Sequence, residues 1–250
     1  MKEQIIINMP LKNGEKTLER AIESVLIQTH VKREVVLLIA NDNSTDSSST
    51  ILENYSKHSN IKVLNVDFGL SYLTRNHLLN YTRDHFPNCV LIGRLDCDDY
   101  LYNDLVLSTI EKEFDSSNFD ALLAGNKQEK NNIILENANV ANKELLDNNY
   151  LKSRLYNMSI GISKAELPSC NTFFKPTVSI KYPSKKSAED HWLTTMLLLK
   201  KKDLNIKVAE DFIYCVYSLE GNVTEDNLTN NSYYKSREDL YQYFINQIKE

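Results

Sequence analysis

The sequence has no apolar run long enough to cross a bilayer, and its start has no signal-peptide pattern. We therefore expect a cytoplasmic protein, and a peripheral contact at the inner face of the cell membrane stays open. Cysteine is scarce, and its positions lack the spacing of a metal site. Without a secretory signal, free thiols are expected rather than a disulfide framework at Cys89, Cys97, Cys170 and Cys215.

An excess of basic residues is also absent. Asp and Glu number 34 against 29 for Lys and Arg, which gives a formal net charge of -5. This balance argues against a nucleic-acid partner, because nucleic-acid-binding domains normally carry a basic excess. Hydrophobic residues make up 42% of the chain, and no repeat or low-complexity linker divides it, so we expect a single domain over residues 1–250.

Strand and helix patterns alternate through the first hundred residues. Pro10 is expected to end the first strand and Asn13 to cap the first helix. Such alternation predicts an α/β fold with a parallel sheet, whose ligands bind beyond the carboxyl ends of the strands. The predicted strands are 4–8, 34–40, 61–66 and 88–95, and the predicted helices between them are 15–28, 45–57 and 71–84.

The second half of the chain is less regular. The tyrosine-rich terminal helix is expected to pack on the domain, while a homodimer face and a membrane contact remain alternatives. A polar hairpin tip is predicted at 126–132. The predicted helices are 101–114, 188–202 and 233–248, and the predicted strands are 120–125, 133–136, 206–208 and 212–217.

Three aspartates follow the fourth predicted strand, at Asp96, Asp98 and Asp99. Carboxylates this close repel one another unless a cation offsets their charge. Mg²⁺ or Mn²⁺ with oxygen ligands suits such a cluster and completes its coordination with substrate phosphate. The alternative is an acidic turn on a solvated surface, which a short motif alone does not exclude. The polar loops 10–13 and 41–46 are expected to meet this cluster at one edge of the sheet.

Five motifs occur together in one order along the chain. They are an apolar strand with Pro10 and Asn13, followed by a helix ending in residues 24–29; the run 40–46; Gly69 with Arg75-Asn76; the run 93–100; and Ala188-Glu189-Asp190. In these motifs the sequence resembles the family 2 glycosyltransferases of the GT-A fold, over about residues 4 to 217.

The resemblance implies a Rossmann-like nucleotide-diphospho-sugar transferase fold, with a mostly parallel central sheet flanked by helices. It also implies a nucleotide-binding half at 1–100, an acceptor-binding half at 101–217 and a C-terminal helical extension at 218–250.

Roles in donor binding follow from the same resemblance. Asp98 is implied as the direct ligand of Mn²⁺ or Mg²⁺, and Asp96 as a contact of the metal or the ribose. Asp42 is implied to hold the base, with helix capping as the alternative, and Arg75 to contact the base or the diphosphate. The residues implied to bind the donor are Pro10, Asn13, Asp42, Arg75, Asp96 and Cys97.

Asp190 is implied as the general base. It would take the proton of the acceptor hydroxyl as that oxygen displaces the diphosphate in one step, which inverts the anomeric configuration. The alternative is that Glu189 and Asp190 only complement the positive end of a helix dipole. Arg94 either restrains the carboxylates and approaches the donor or forms a buried salt bridge.

The chain departs from the family pattern at several positions. Lys12 stands where the family usually has an aromatic residue beside the base, and Asn41 and Asn43 replace an Asp and a Gly. Cys215 and Tyr217 occupy the strand in which many relatives place an Arg and a metal-binding His. We therefore expect weak metal binding in the absence of donor.

The predicted function is that of a metal-dependent, inverting glycosyltransferase. It would move a sugar from a nucleotide-sugar, preferably a UDP-sugar, to a hydroxyl of a glycan or lipid-linked glycan acceptor in surface polysaccharide biosynthesis. Acceptor binding is expected in 137–187 and the terminal helix. One alternative is an inactive donor-binding scaffold subunit, because Tyr217 replaces the histidine. The other is a nucleotidyltransferase, which normally needs a Gly-rich loop where this chain has only Gly14.

Overall fold

The computed structural model describes residues 2–162, 167, 171–185, 187–219 and 232–249. Cys170 and residues 220–231 of the predicted C-terminal extension lie outside the described residues. Within these ranges the strands form one nine-stranded sheet with helices packed on both of its faces.

The first four strands form the parallel half of this sheet. They are β1 (Gln4–Leu11), β2 (Glu34–Asp42), β3 (Ile61–Val66) and β4 (Cys89–Arg94), in the spatial order β3-β2-β1-β4. The helices between them are α1 (Leu18–Leu26), α2 (Ser48–Asn54) and α3 (Ser71–His85). Most side chains of β1 and β2 are buried, because helices cover both faces of a parallel sheet.

The second half of the chain extends the sheet beyond β4 in the order β8-β6-β9-β5. β8 is antiparallel to both β4 and β6, β9 is parallel to β6, and β7 pairs with β6. The prediction of a mostly parallel central sheet flanked by helices is confirmed. The elements are β5 (Tyr100–Leu101), α4 (Val106–Ser117), β6 (Ala121–Lys130), β7 (Ile133–Asn139), a 3₁₀ helix (Lys143–Leu146), α5 (Asn148–Ser159), β8 (Thr172–Phe174), α6 (Glu189–Leu199), β9 (Ile206–Ser218) and α7 (Ser232–Gln247).

The expectation that Pro10 ends the first strand is wrong. β1 continues through Pro10 to Leu11, although it lies between β2 and β4. The backbone oxygen of Asn8 faces β4, because it accepts a hydrogen bond from the N–H of Leu95. Residues two positions apart in a strand direct their backbone groups to the same side, so the backbone nitrogen of Pro10 also faces β4. The pairing with β4 ends at Asn8, and the proline therefore costs the sheet no hydrogen bond on that side.

The first helix also begins later than expected. α1 starts at Leu18, and Asn13 does not cap it. Asn13 instead takes a left-handed φ of 53° in the turn before the helix, a conformation that asparagine tolerates better than most residues. The turn moves the side chain of Asn13 away from the helix and towards the neighbouring loop.

Two predictions in the second half are also wrong. The predicted strands 206–208 and 212–217 are a single strand, β9, in which Asp211 has a φ of 58° where the register with β6 shifts. The polar stretch was therefore a bulge and not a strand end. The predicted hairpin tip at 126–132 is mostly β6, and only Asn131 and Asn132 form the turn, both with positive φ as a two-residue hairpin prefers.

Alternate residues of β1 supply two separate apolar layers. Ile5 and Ile7 belong to the layer that contains the buried side chains of α1, whereas Ile6 packs in the layer with α3 and α6. A third cluster joins α5, α6 and α7, where Leu240 and Phe244 of α7 are fully buried. The expected packing of the terminal helix on the domain is thus confirmed. Among the described helices, none is both long enough and apolar enough to span a membrane.

Gly93 leaves the space on β4 that an aromatic ring of β8 fills. A Cβ at position 93 would lie 2.3 Å from Cε1 of Phe173. Phe173 is fully buried and meets the ring of Tyr214 edge to face, with the ring centroids 5.0 Å apart. The Tyr214 hydroxyl donates a hydrogen bond to the backbone oxygen of Arg94 at 2.8 Å. This packing therefore supports the end of β4, where the acidic cluster begins.

Replacing Gly93 by alanine should destabilise the protein, because the Phe173 ring has no space into which it can retreat. We expect a loss of about 1–3 kcal/mol in the free energy of unfolding, measured by urea denaturation. Combining Gly93→Ala with Phe173→Leu should cost less than the sum of the two single changes. Wild-type stability of Gly93→Ala would contradict this packing.

Candidate active site

A cleft of about 830 Å³ opens at the carboxyl ends of the parallel strands. It lies where sheets of this kind bind their ligands. The structure brings every residue of the predicted site to its walls. These residues are Pro10, Asn13, Asp42, Arg75, Asp96, Cys97, Asp98 and Asp190.

The loops after β1 and β2 are joined by reciprocal hydrogen bonds. The Asn13 N–H donates to Ser44 Oγ at 2.9 Å, and Asn13 Oδ1 accepts from the N–H of Thr45 at 2.8 Å. Glu15 makes a second exchange with the same loop: its N–H donates to Asp46 Oδ2 at 2.9 Å, and its Oε2 accepts from the N–H of the residue after Asp46 at 3.0 Å. These bonds join the loops after β1 and β2 into one wall of the cleft.

Asp42, at the end of β2, is 3% exposed and organises the turn that leads into α3. Its Oδ1 accepts from the N–H of Phe68 at 2.6 Å, and its Oδ2 from the N–H of Gly69 at 3.0 Å and from Thr74 Oγ1 at 2.9 Å. Gly69 has a φ of 67°, which places its N–H beside the carboxylate. The alternative role of Asp42 as a helix cap is not what the structure shows. Contact with a base stays a prediction.

The acidic cluster lies in a turn and not on an extended strand. β4 ends at Arg94, and the N–H of Asp99 donates to the backbone oxygen of Asp96 at 3.1 Å. Arg94, Asp96 and Asp98 therefore do not lie along one face of an extended strand. Asp99 is fully buried and accepts from the N–H of Ser218 at 3.0 Å, which anchors the turn to β9. Asp96 and Asp98 remain on the cleft wall.

Two arginines converge on one oxygen of Asp96. Arg75 Nη2 and Arg94 Nη2 each lie 3.0 Å from Asp96 Oδ2. Arg75 also pairs with Glu189 through Nη1, and Arg94 Nη2 lies 3.6 Å from Asp190 Oδ2. Arg94 is 6% exposed, so it forms the buried salt bridge that was one of its two expected roles.

The turn holds ionisable groups whose charged forms are disfavoured. Burial and the neighbouring charge of Asp96 raise the pKa of Asp98 to about 6. Burial and the charges of Asp98 and Asp96 also raise the pKa of the Cys97 thiol far above its usual range. A bound cation lowers the energy of such a carboxylate most, because it replaces the solvation that burial removes.

Asp190 is directed into the cleft by an unusual backbone conformation. Ala188, just before α6, has a φ of 60°, and the two acids Glu189 and Asp190 form the first turn of that helix. Burial acts to raise the pKa of Asp190, but His191, Arg94 and Arg75 outweigh it and hold that pKa well below its usual range. These contacts therefore favour the ionised form of Asp190, which is the form that a general base requires.

Several residues of the cleft were not predicted from the sequence. Tyr233 and Arg237 of α7 line it, and the Arg237 guanidinium lies 3.4 Å from Nε2 of His191. Glu189 received no role of its own, although it binds Arg75 and accepts from Ser71 Oγ at 2.7 Å. These contacts join residues far apart in the chain, and no local spacing signals them.

The described residues fit a divalent cation held with the help of a substrate. Asp96 Oδ1 is buried and has no hydrogen-bond partner among them, while its other oxygen serves the two arginines. No group of three or more His, Cys, Asp and Glu side chains within the described ranges is arranged to hold a metal. Mg²⁺ is commonly held by one or two carboxylates together with substrate phosphate, which Asp96 and Asp98 match.

A family model described as Glycosyl transferase family 2 matches residues 6–175, more than half of the chain. The chain belongs to this family. The prediction of the family is confirmed, and so is the prediction that the chain is a glycosyltransferase. The matched residues supply the wall of the cleft that follows β1, β2 and β4, whereas Glu189, Asp190 and Arg237 lie beyond the match.

Two curated proteins are similar to this glycosyltransferase. One is poly(ribitol-phosphate) beta-N-acetylglucosaminyltransferase TarP of Staphylococcus aureus, 26% identical over 97% of this chain and 72% of TarP. The other is a poly(ribitol-phosphate) beta-glucosyltransferase of Bacillus spizizenii, 25% identical over 85% of this chain and 32% of that protein.

Solved structures confirm the GT-A fold of the glycosyltransferase. The crystal structure of S. aureus TarS 1-349 in complex with UDP-GlcNAc superposes with a TM-score of 0.69 and 21% identity, over 98% of this chain and 72% of that one. The mannosyltransferase PcManGT from Pyrobaculum calidifontis, in complex with GDP-Man and Mn²⁺, gives a TM-score of 0.58 and 13% identity, over 89% and 59%. At these identities the similarity shows the fold.

Replacing Asp42 by asparagine should destabilise the turn that leads into α3. The amide would set an N–H₂ group against donors that now face a carboxylate oxygen. We expect a loss of about 2–3 kcal/mol in the free energy of unfolding, the scale of hydrogen bonds to a charged group. Urea denaturation without nucleotide measures it, with exposed Asp84→Asn as the control. Equal stability of Asp42→Asn and Asp84→Asn would refute this structural role.

Proposed function

We propose that the protein transfers a sugar from a UDP-sugar to a hydroxyl of a poly(ribitol phosphate) chain, as in the synthesis of a wall teichoic acid. The observation that carries the proposal is the convergence of Asp42, Arg75, Asp96, Asp98 and Asp190 on one cleft. The names of the relatives support the acceptor class, since two of them act on poly(ribitol phosphate). TarS, which shares the fold, binds UDP-GlcNAc.

On the donor side, Asp98 and Asp96 would hold Mn²⁺ or Mg²⁺. Such an ion supplies positive charge that stabilises the diphosphate as it leaves. Arg75 lies on the same wall, where its guanidinium suits a phosphate oxygen. Asp42 and the joined loops after β1 and β2 form the base end of this wall.

On the acceptor side, Asp190 serves as the general base. The acceptor oxygen bonds to the anomeric carbon as the bond from that carbon to the diphosphate breaks, and the hydroxyl proton passes to Asp190. The low pKa of Asp190 keeps the carboxylate ionised before the reaction. Because it also makes the carboxylate a weak base, the proton moves late, once bond formation has made the acceptor hydroxyl acidic. One displacement inverts the anomeric configuration.

Cationic side chains on the acceptor side suit the phosphates of a phosphodiester polymer. Lys185, His191 and Arg237 line the cleft around Asp190. Arginine and lysine are the usual partners of phosphate, Arg through paired donors and Lys through its point charge. The family assignment and the transferase names of the relatives favour glycosyl transfer over nucleotidyl transfer and over an inactive scaffold subunit.

Metal and nucleotide should stabilise the wild-type protein together. We expect UDP with Mn²⁺ to raise the melting temperature more than either alone, because only a ligand of the native state shifts it. GDP, dTDP and CDP serve as comparison nucleotides. Asp98→Asn should lose the metal-dependent part of the shift, while exposed Asp84→Asn keeps it. A full Mn²⁺-dependent shift in Asp98→Asn would remove Asp98 from the metal site.

Asp190→Asn should bind UDP as the wild type does but transfer sugar about 10²–10⁴-fold more slowly, the usual contribution of general-base catalysis. The assay follows labelled GlcNAc or glucose from the UDP-sugar into poly(ribitol phosphate). Turnover of Asp190→Asn at the wild-type rate would exclude it as the base. A wild-type protein that binds UDP with metal but modifies no acceptor would favour the scaffold.

A further inference from the structure

Behind the two arginines of the cleft lies an aromatic ring that the family match does not reach. Tyr182 is 6% exposed, and the match ends at residue 175. The ring centroid is 5.7 Å from Cζ of Arg75 and 5.9 Å from Cζ of Arg94. Both distances lie within the range at which a guanidinium group is attracted to an aromatic face.

The helix that carries Arg75 also fixes the position of this ring. The Asn76 side chain makes two hydrogen bonds to the backbone of Tyr182: Oδ1 accepts from its N–H and Nδ2 donates to its carbonyl oxygen, both at 2.8 Å. About two turns after Asn76 along α3, the Arg83 guanidinium donates to the carbonyl oxygens of Val178 at 3.0 Å and Ile180 at 3.3 Å. The segment before Tyr182 therefore follows α3, and the ring cannot shift independently of it.

The two guanidinium groups need a neighbour whose contact with them is kept when metal and substrates bind. Burial and the charge of Arg94 act to lower the pKa of Arg75, and the carboxylates of Asp96, Glu189 and Asp190 more than offset them. Two of these acids have other tasks in the proposed reaction, Asp96 towards the metal and Asp190 towards the acceptor proton. The Tyr182 ring has no such competing role, because it lies behind the arginines.

We propose that Tyr182 is a positioning residue, whose aromatic face holds the guanidinium groups of Arg75 and Arg94 in place to receive the donor diphosphate. The proposal rests on the proposed function, since it assigns Arg75 to the donor. It adds a residue that acts through the arginines and does not touch the substrate.

The test compares UDP binding, with Mn²⁺ present, by Tyr182→Leu, Tyr182→Phe and the wild type. Tyr182→Leu removes the aromatic face, and the Kd for UDP should rise about tenfold, as expected for loss of a buried contact of this kind. Tyr182→Phe keeps the face and should remain within about twofold of the wild type. The KM for the UDP-sugar should follow the Kd, while kcat changes little, because the chemical groups are unaltered.

Phe119→Leu is the matched control for a general loss of packing. Phe119 is fully buried, stacks edge to face on Phe114 and does not line the cleft. This variant should lower the melting temperature but leave the affinity for UDP unchanged. Equal weakening of UDP binding by Phe119→Leu and Tyr182→Leu would overturn the proposal.

Fluorinated phenylalanines at position 182 keep the test decisive if Tyr182→Leu does not fold. Successive fluorine atoms weaken the negative potential of the ring face with little change in shape, so the affinity for UDP should fall with each one. Constant affinity across the series would overturn the positioning role. Failure of the wild type itself to bind any nucleotide would instead refute the proposed function.

Discussion

A single carboxylate oxygen, Asp96 Oδ2, accepts from two buried guanidinium groups, and the arrangement of the cleft depends on it. Arg75 comes from α3 and Arg94 from the end of β4, and each continues to an acid at the start of α6. Charge therefore aligns the consecutive elements α3 and β4 with α6, which follows much later in the chain. Removal of one member leaves buried charge without compensation, so effects of mutations within this set will not add.

The parallel half of the fold could be predicted because its signals are local. The run 61–66 became β3 with the same ends, and the helix predicted at 71–84 is α3 to within one residue. The predicted site residues meet because each lies at the carboxyl end of a parallel strand, in the turn after it, or in the first two turns of a helix beside it. What failed was conformation within a residue or two: Pro10 inside a strand, Asn13 in a turn, and the bulge at Asp211.

The remaining parts of the site could not be predicted, because they depend on contacts between distant residues. Arg75 and Glu189 are separated by more than a hundred positions, and the sequence of the terminal helix, where acceptor binding is expected, does not single out Arg237. Their spacing carries no periodic pattern. The same division appears in the cleft itself. The wall that follows β1, β2 and β4 comes from the part that matches the family, whereas Asp190 and Arg237 come from beyond that part.

The two halves of the sheet meet at β8, which has only three residues and pairs with β4 through Ile92 and Phe174 alone. Because so few backbone hydrogen bonds join β4 to β8, the free energy of local opening should be lowest between these two strands. Amide protons there will exchange with solvent sooner than those in the centre of β1 or β2. Local opening between β4 and β8 would shift the end of β4 against the second half of the sheet, so the weakest part of the sheet adjoins the turn that carries Asp96 and Asp98.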